Sequence, residues 1–233
     1  MRLNKFIAEN SKYSRRKADI LIKDRLVLIN GKTADSLGIQ IDPKKDKIEI
    51  NGEKITANKK EKVYFALNKP MGFISTREDR HAKRTVMELL PKIDNLKPVG
   101  RLDKETEGLL LFTNDGDFIL KHTHPRYECK KKYHVIINGF LTDEEKKKLE
   151  EGVMLEEKKT YPAKIHGIRR DKNETELEIE IHEGRNRQVR NMFAMFRHNV
   201  KYLQRIETGT IKLGNLKLGE FRKLTKEEIN DNI

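Results

Sequence analysis

Gly100-Arg101-Leu102-Asp103-Lys104-Glu105-Thr106-Glu107-Gly108-Leu109-Leu110-Leu111-Phe112-Thr113-Asn114-Asp115-Gly116 is the stretch on which the fold turns. Its apolar run, Leu109 to Phe112, is bounded by Gly108 on one side and by Asn114-Asp115-Gly116 on the other. A short apolar run between turn signals reads as a buried strand, so Asp103 and Arg101 fall on the loop that feeds it. A carboxylate at the mouth of a rigid strand is held by packing it does not supply itself, as a catalytic group requires. The same letters also fit an ordinary strand behind a solvated acidic loop, and this window alone leaves both readings open.

Working outward, 233 residues suffice for one catalytic domain and a small appendage. The formal net charge is +13, and it is uneven. Residues 1 to 62 hold 16 Lys or Arg against 9 Asp or Glu, net +7, leaving +6 for the other 171 residues. Such a balance suits a polyanion, nucleic acid or an anionic membrane surface. Lone Cys129 cannot form an internal disulfide, which agrees with a cytoplasmic protein. The N-terminus lacks a signal-peptide core, and no apolar run approaches the ~20 residues that span a bilayer.

Leu3, Phe6 and Ile7 have helical spacing, and so do Ala18, Leu21 and Ile22 behind the N-cap candidate Ser14. Val27-Leu28-Ile29 before Asn30-Gly31, and Lys47 to Ile50 before Asn51-Gly52, read as strands ending in tight turns. The charged segment 53 to 62 reads as a connector with little to bury, giving domains 1 to 60 and 61 to 233. Beyond it, strands are expected at Val63 to Leu67, Tyr133 to Ile137, Leu177 to Ile181, Thr210 to Leu213 and Phe221 to Leu224. Helices are expected after Val86, at Thr142 and, by the spacing of Val189, Met192, Phe193 and Phe196, around Arg190. Without regular strand-helix alternation the class is α+β.

Several of these segments together resemble bacterial ribosomal-RNA pseudouridine synthases, the subfamily that modifies single uridines of either ribosomal subunit. The resemblance rests on the central stretch, Lys69-Pro70-Met71-Gly72, Lys132-Tyr133, and Glu183-Gly184-Arg185-Asn186-Arg187-Gln188-Val189-Arg190. The first sixty residues resemble the alpha-L RNA-binding domain. This implies a pseudouridine synthase fold, with a mixed, mainly antiparallel central sheet and flanking helices, behind a small helix-helix-strand RNA-binding domain. It implies that Asp103 is the catalytic carboxylate, as nucleophile or as charge stabiliser, that Tyr133 stacks on the target base, and that Arg190 pairs with Asp103. Leu203 would line the uracil pocket, while Arg101, Arg185 and Arg187 would hold the flipped nucleotide. Ser14, Arg15, Arg16 and Lys17 open the second helix with three cations where its dipole prefers anions, an arrangement that suits RNA phosphates. Where many relatives carry a second basic residue, this chain has Asn191.

The reaction implied needs neither cofactor nor metal, and the partner implied is ribosomal RNA or a ribosomal assembly intermediate, met by a monomer. His122, His124 and Cys129 match no common zinc spacing, and no P-loop, Rossmann or nucleophile-elbow motif occurs. Ser75 to Asp79, His124-Pro125 and the Glu183 to Arg187 run lean toward the large-subunit enzymes. The alternative from another class is a non-catalytic RNA-binding assembly factor on the same fold, against which Asp103 and Tyr133 both stand. An unrelated basic adaptor would explain the charge but not the central stretch. A glycosidase would need two facing carboxylates, where the matched motifs supply one.

Overall fold

The computed structural model describes residues 1 to 57, 61 to 76 and 84 to 231, which form two compact units, Met1–Glu61 and Lys62–Ile233. Arg77, Glu78 and Asp79, on which the choice of subunit partly leans, and residues 58 to 60 of the connector lie outside the described residues.

In the first unit α1 (Leu3–Asn10) and α2 (Arg15–Lys23) precede a sheet of β1 (Val27–Ile29), β2 (Lys32–Thr33), β3 (Ile48–Ile50) and β4 (Glu53–Ile55), in the order β2-β1-β3-β4. Ser14 caps α2, its side chain accepting from the Lys17 amide at 3.2 Å. The Asn-Gly pairs at 30–31 and 51–52 both take positive φ, the geometry of the tight hairpin turn that this dipeptide favours. Leu3, Phe6, Ile7, Leu21, Ile22, Val27, Ile48 and Ile50 close a core of the unit's own. β4 corrects the expected connector: its first residues pair with β3, Ile48 opposite Ile55, and complete the sheet.

The second unit runs through β5 (Tyr64–Lys69), β6 (Lys97–Val99), β7 (Glu107–Thr113), α3 (Gly116–Thr123), β8 (Lys131–Asn138), α4 (Asp143–Glu151), β9 (Met154–Leu155), β10 (Lys158–Lys159), β11 (Lys164–Arg170), β12 (Glu174–Ile181), α5 (Gln188–Ala194), β13 (Val200–Thr208), β14 (Ile211–Lys212), β15 (Phe221–Lys223) and α6 (Lys226–Asn230). Its main sheet has the order β11-β12-β8-β13-β7-β5-β15, with β6 on β7 and β14 on β13. Pairing is antiparallel except where β13 lies parallel to β7, over Gln204↔Glu107 and Arg205↔Gly108. The sheet is therefore mixed and mainly antiparallel.

Burial explains the apolar run in β7. Leu110 and Phe112 enter one core with Leu67, Val135, Ile179 and Phe193, while Leu109 and Leu111 enter a second with Val99, Phe118, Ile211 and Leu224. A strand covered on both faces must be apolar throughout, whereas β12, with Glu174, Glu176, Glu178 and Glu180 on its wet face, alternates. Where the chain turns out of β7, the Asp115 side chain caps α3 through the Asp117 amide and accepts from Lys62 and from the Tyr64 hydroxyl, and Asn114 Oδ1 accepts from the Val63 amide. The Thr-Asn-Asp-Gly segment is thus a helix start tied to β5.

A candidate active site built on the loop before β7

Asp103 lies on the loop between β6 and β7, and this loop is fastened at every carbonyl from residue 102 to residue 106. Leu102 O accepts from the Ser75 hydroxyl at 2.7 Å, and the Leu102 amide returns a bond to the same oxygen at 3.1 Å. Asp103 O accepts from the Thr106 amide and Lys104 O from the Gly72 amide. Glu105 O accepts from Arg190 Nη2 at 2.9 Å, and Thr106 O from Lys69 Nζ at 2.8 Å. Lys69 ends β5 fully buried, its ammonium also on Pro70 O at 3.0 Å. Burial pulls its pKa from 10.5 down to about 8, against the opposing pull of the Asp103, Glu107 and Glu105 charges. Backbone carbonyls, which need donors when buried, turn this lysine into a clamp.

The clamped loop forms one wall of a cleft of about 370 Å³. Asp103, Arg101 and Leu102 line it together with Tyr133 and Lys131 of β8, Leu203, Arg205 and Thr208 of β13, and, ahead of and within α5, Glu183 to Arg185 and Arg187 to Val189. Among the described residues none donates a hydrogen bond to the Asp103 carboxylate. Tyr133 is 8% exposed and Leu203 3%, and they reach the cleft from neighbouring strands. β13 passes so close behind the loop that a Cβ on Gly108 would stand 2.3 Å from Arg205 O, and Gly108 has φ +101°.

The arginines divide by what they bond. Arg190 Nη1 donates to Val200 O at 2.9 Å and Nη2 to Glu105 O, so the guanidinium is committed to carbonyls and makes no ion pair with Asp103 within 4.0 Å. The direct pairing implied by the resemblance is absent, yet Arg190 feels the carboxylate: burial lowers the Arg190 pKa, as does Arg187, while Asp103 and Glu105 raise it. Arg187, at positive φ ahead of α5, donates to Glu105 Oε2 at 2.9 Å, and this bond holds the Glu105 carboxylate below its ordinary value. Arg185 binds Lys158 O, Lys159 O and the Glu183 carboxylate, tying the β9-β10 hairpin to the cleft edge. Arg101 alone of the four is exposed on the rim without such engagement among the described residues. In the other unit Arg15, Arg16 and Lys17 are exposed on the first turn of α2, which carries no acidic residue.

Three features of the site give no signal of their own in the sequence. In the sequence Lys69 stands only inside the Lys69-Pro70-Met71-Gly72 segment and Ser75 only inside the segment Ser75 to Asp79, and nothing singles out Arg205. A charged residue gives no periodic signal when it is buried, so only the letters around it hint at these positions. Among the described residues no group of His, Cys, Asp and Glu is placed to hold a metal ion, and His122 Nδ1 contacts Phe118 O.

Comparison with known proteins follows the same division of the chain. Residues 63–195 match the family model for RNA pseudouridylate synthase, and residues 1–47 match the S4 domain. The chain is similar to the ribosomal large subunit pseudouridine synthase B of Bacillus subtilis, 43% identical over 98% of this chain and 93% of that one. It is similar also to the dual-specificity RNA pseudouridine synthase RluF of Escherichia coli K12, 35% identical over 99% of this chain and 78% of that one. A crystal structure of a pseudouridylate synthase superposes at a TM-score of 0.71 with 34% identity, covering 100% of both chains. The cleft built around Asp103 therefore lies within the matched segment and its β13 continuation, and the chain belongs to the RNA pseudouridylate synthase family, with an S4 domain at its N-terminus.

Proposed function

We propose that the protein isomerises specific uridines of ribosomal RNA to pseudouridine, with large-subunit RNA the favoured substrate. The observation that carries this reading is the Asp103 carboxylate, which takes no hydrogen bond from a described residue and stands in the cleft on a loop whose five successive carbonyls are all bonded. A group fixed in position but not neutralised is prepared to meet an electron-poor carbon. Pseudouridine formation breaks the bond between the ribose anomeric carbon and uracil N1, turns the base over and rejoins it through C5. Asp103 supports the anomeric carbon, as nucleophile or as stabiliser of its developing charge. Tyr133 stacks on the base, Leu203 borders it, and Arg190 holds the loop at Glu105 with its own charge in the field of Asp103.

Extruding the uridine from its stack costs a few kcal/mol. Arg101 on the rim can grip the displaced backbone, and Arg187 beside Glu105 can exchange that carboxylate for a phosphate. In the first unit the cations of α2 anchor the RNA. The preference for large-subunit RNA rests on the named activity of the Bacillus subtilis relative.

The test is tritium release from ribosomal RNA labelled at uracil C5, on separated small- and large-subunit RNA and on assembly intermediates. Wild type should release tritium from the large-subunit species and Asp103→Asn should release none while still binding. Release by neither protein from any of these RNAs, with binding by both, would replace this reading with that of a non-catalytic assembly factor.

A further inference from the structure

The most deeply buried arginine lining the cleft has no counter-charge among the described residues. Arg205 is 3% exposed and lines the cleft from β13, two residues after Leu203 and so on the same strand face. Its Nε donates to Leu109 O at 2.7 Å, which fixes the guanidinium where β7 and β13 part. Its Nη2 is buried and has no hydrogen-bond partner among the described residues. Thr208, on the same strand and also lining the cleft, has its buried hydroxyl unpartnered too. Across the ladder Arg205 stands opposite Tyr133, and Thr208 opposite Lys131.

No described carboxylate answers this group. The other acidic residue lining the cleft, Glu183, accepts from Arg185 Nε, Gln188 Nε2 and the Tyr161 amide, and Glu107 accepts from the Tyr202 hydroxyl. The nearby cation, Lys131, adds to the surplus, with its ammonium on Cys129 O at 2.9 Å. Burial pulls the Lys131 pKa down, and Arg205 is among the charges that lower it further. A buried guanidinium without a counter-charge is costly, and the unmade hydrogen bond at Nη2 adds to that cost. Such a group makes sense where a ligand arrives bringing acceptors.

We propose that Arg205, with Thr208 beside it, forms the base-reading end of the cleft and holds the carbonyl oxygens of the uracil, stabilising the negative charge that the base carries when it leaves the ribose. The proposal rests on the isomerase reading of the Asp103 cleft. When the C1′–N1 bond breaks, its electron pair goes with the base, and conjugation spreads that charge over O2 and O4. Asp103 meets the ribose carbon left short of electrons. C5 then bonds to C1′, its proton passes to solvent, and N1 regains a proton, so atoms and charge balance. A preorganised cation beside the carbonyl oxygens binds the charge-separated state more strongly than the ground state, as catalysis demands. Cytosine presents an amino donor where uracil has O4, and against a donor-only guanidinium it is disfavoured.

The experiment compares full-length wild type, Arg205→Met and Arg205→Lys in single-turnover reactions on the ribosomal RNA that responds in the tritium assay. Each is run in parallel with the same RNA carrying 5-fluorouridine, whose electron-withdrawing fluorine makes the base a better leaving group; its C5 has no proton to lose, so once C5 bonds to C1′ the ring keeps its fluorine and takes up water at C6. Conversion is followed by liquid chromatography with mass spectrometry of digested nucleosides, which separates pseudouridine from its isomer uridine by retention and marks the fluorinated product by its added water. On uridine RNA, Arg205→Met should slow conversion about a hundredfold to a thousandfold. On fluorinated RNA the loss should shrink to about tenfold or less, because the leaving base needs less help, while RNA affinity stays within about twofold. Arg205→Lys, which keeps a charge without the fork, should fall between them.

An equal loss on both RNAs would make Arg205 a structural tie between β7 and β13 and overturn the proposal. So would wild-type rates in Arg205→Met. Should Arg205→Met fail to fold, Arg205→Lys carries the same comparison, and a loss independent of fluorine there overturns it equally. Failure of the isomerase reading is told apart, since wild type itself would then convert neither RNA.

Discussion

At the scale of the residue, the site depends on a lysine that does not line the cleft. Lys69 Nζ bonds Pro70 O and Thr106 O, the second of them on the Asp103 loop, so the loop's position is set by β5. Replacing it with Met removes the clamp and leaves buried carbonyls without donors. Turnover by Lys69→Met should fall about a hundredfold, since displacement of a catalytic group by an ångström has that effect, with RNA affinity little changed. Tritium-release kinetics and filter binding separate the two. The same lysine gives stability a pH dependence. Burial depresses its pKa from 10.5 to about 8, so between those values the unfolded chain binds the proton and the folded chain has lost it. Stability contributed by this group therefore rises with pH across that window and is level below about pH 8. Urea unfolding at about pH 7 and about pH 10 should show wild type gaining on Lys69→Met at the higher value. The place of Asp103 on the loop ahead of β7 is legible from its sequence neighbours, and the burial of Lys69 is not, because nothing in Lys-Pro-Met-Gly says that the charge points inward.

At the scale of the element, β7 and β13 decide the architecture, and they differ in how plainly they are written. β7 is apolar from Leu109 to Phe112 because both its faces are covered there, and its bounding Gly108 is required by contact as well as by turn geometry. Gly108→Ala should destabilise the protein by about 4 kcal/mol, through strain at positive φ and through collision with the Arg205 carbonyl. Gly116→Ala, at the start of α3 with open space around it and no positive φ, should stay within about 0.5 kcal/mol of wild type. Thermal melts of the two variants side by side check the contrast. Strands and helices with local signals are readable: Ser14 caps α2, and Thr142 and Thr225 form capping boxes with Glu145 and Glu228. β13 is not legible as a strand, because Lys201, Gln204, Arg205 and Glu207 break the apolar pattern and its register shifts between Arg205 and Glu207. The irregularity is where the cleft is lined, so the element hardest to read is the one that carries Leu203, Arg205 and Thr208. Edge strand β11, exposed along much of its length and irregular between His166 and Arg169, hides for the same lack of alternation. α3 hides because its start lies inside a segment that reads as a turn, although Asp115 followed by Gly116 is a capping signal.

At the scale of the whole molecule, two units with separate cores share one surplus of positive charge, and the proposed function gives them different parts. The first unit contains none of the residues that line the cleft, so under the proposed function its cations would hold the RNA and leave the isomerisation to the second unit. Arg15, Arg16 and Lys17 stand exposed at the N-terminus of α2, beside backbone amides that also suit phosphate oxygens. Each phosphate neutralised releases a counterion, which contributes roughly 0.7 to 0.9 to the slope of log affinity against log salt. Changing all three to Ala should therefore make that slope shallower by about 2 and weaken binding most at low salt. The single-turnover rate at saturating RNA should remain at the wild-type value, because Asp103 and its clamp are untouched. Filter binding across a salt series, paired with single-turnover tritium release, reads both quantities from the same preparations. A slope equal to that of wild type would remove the α2 cations from the RNA interface. A fall in the saturated rate would mean that the first unit also shapes the cleft's substrate, and that anchoring and chemistry are coupled across the two units.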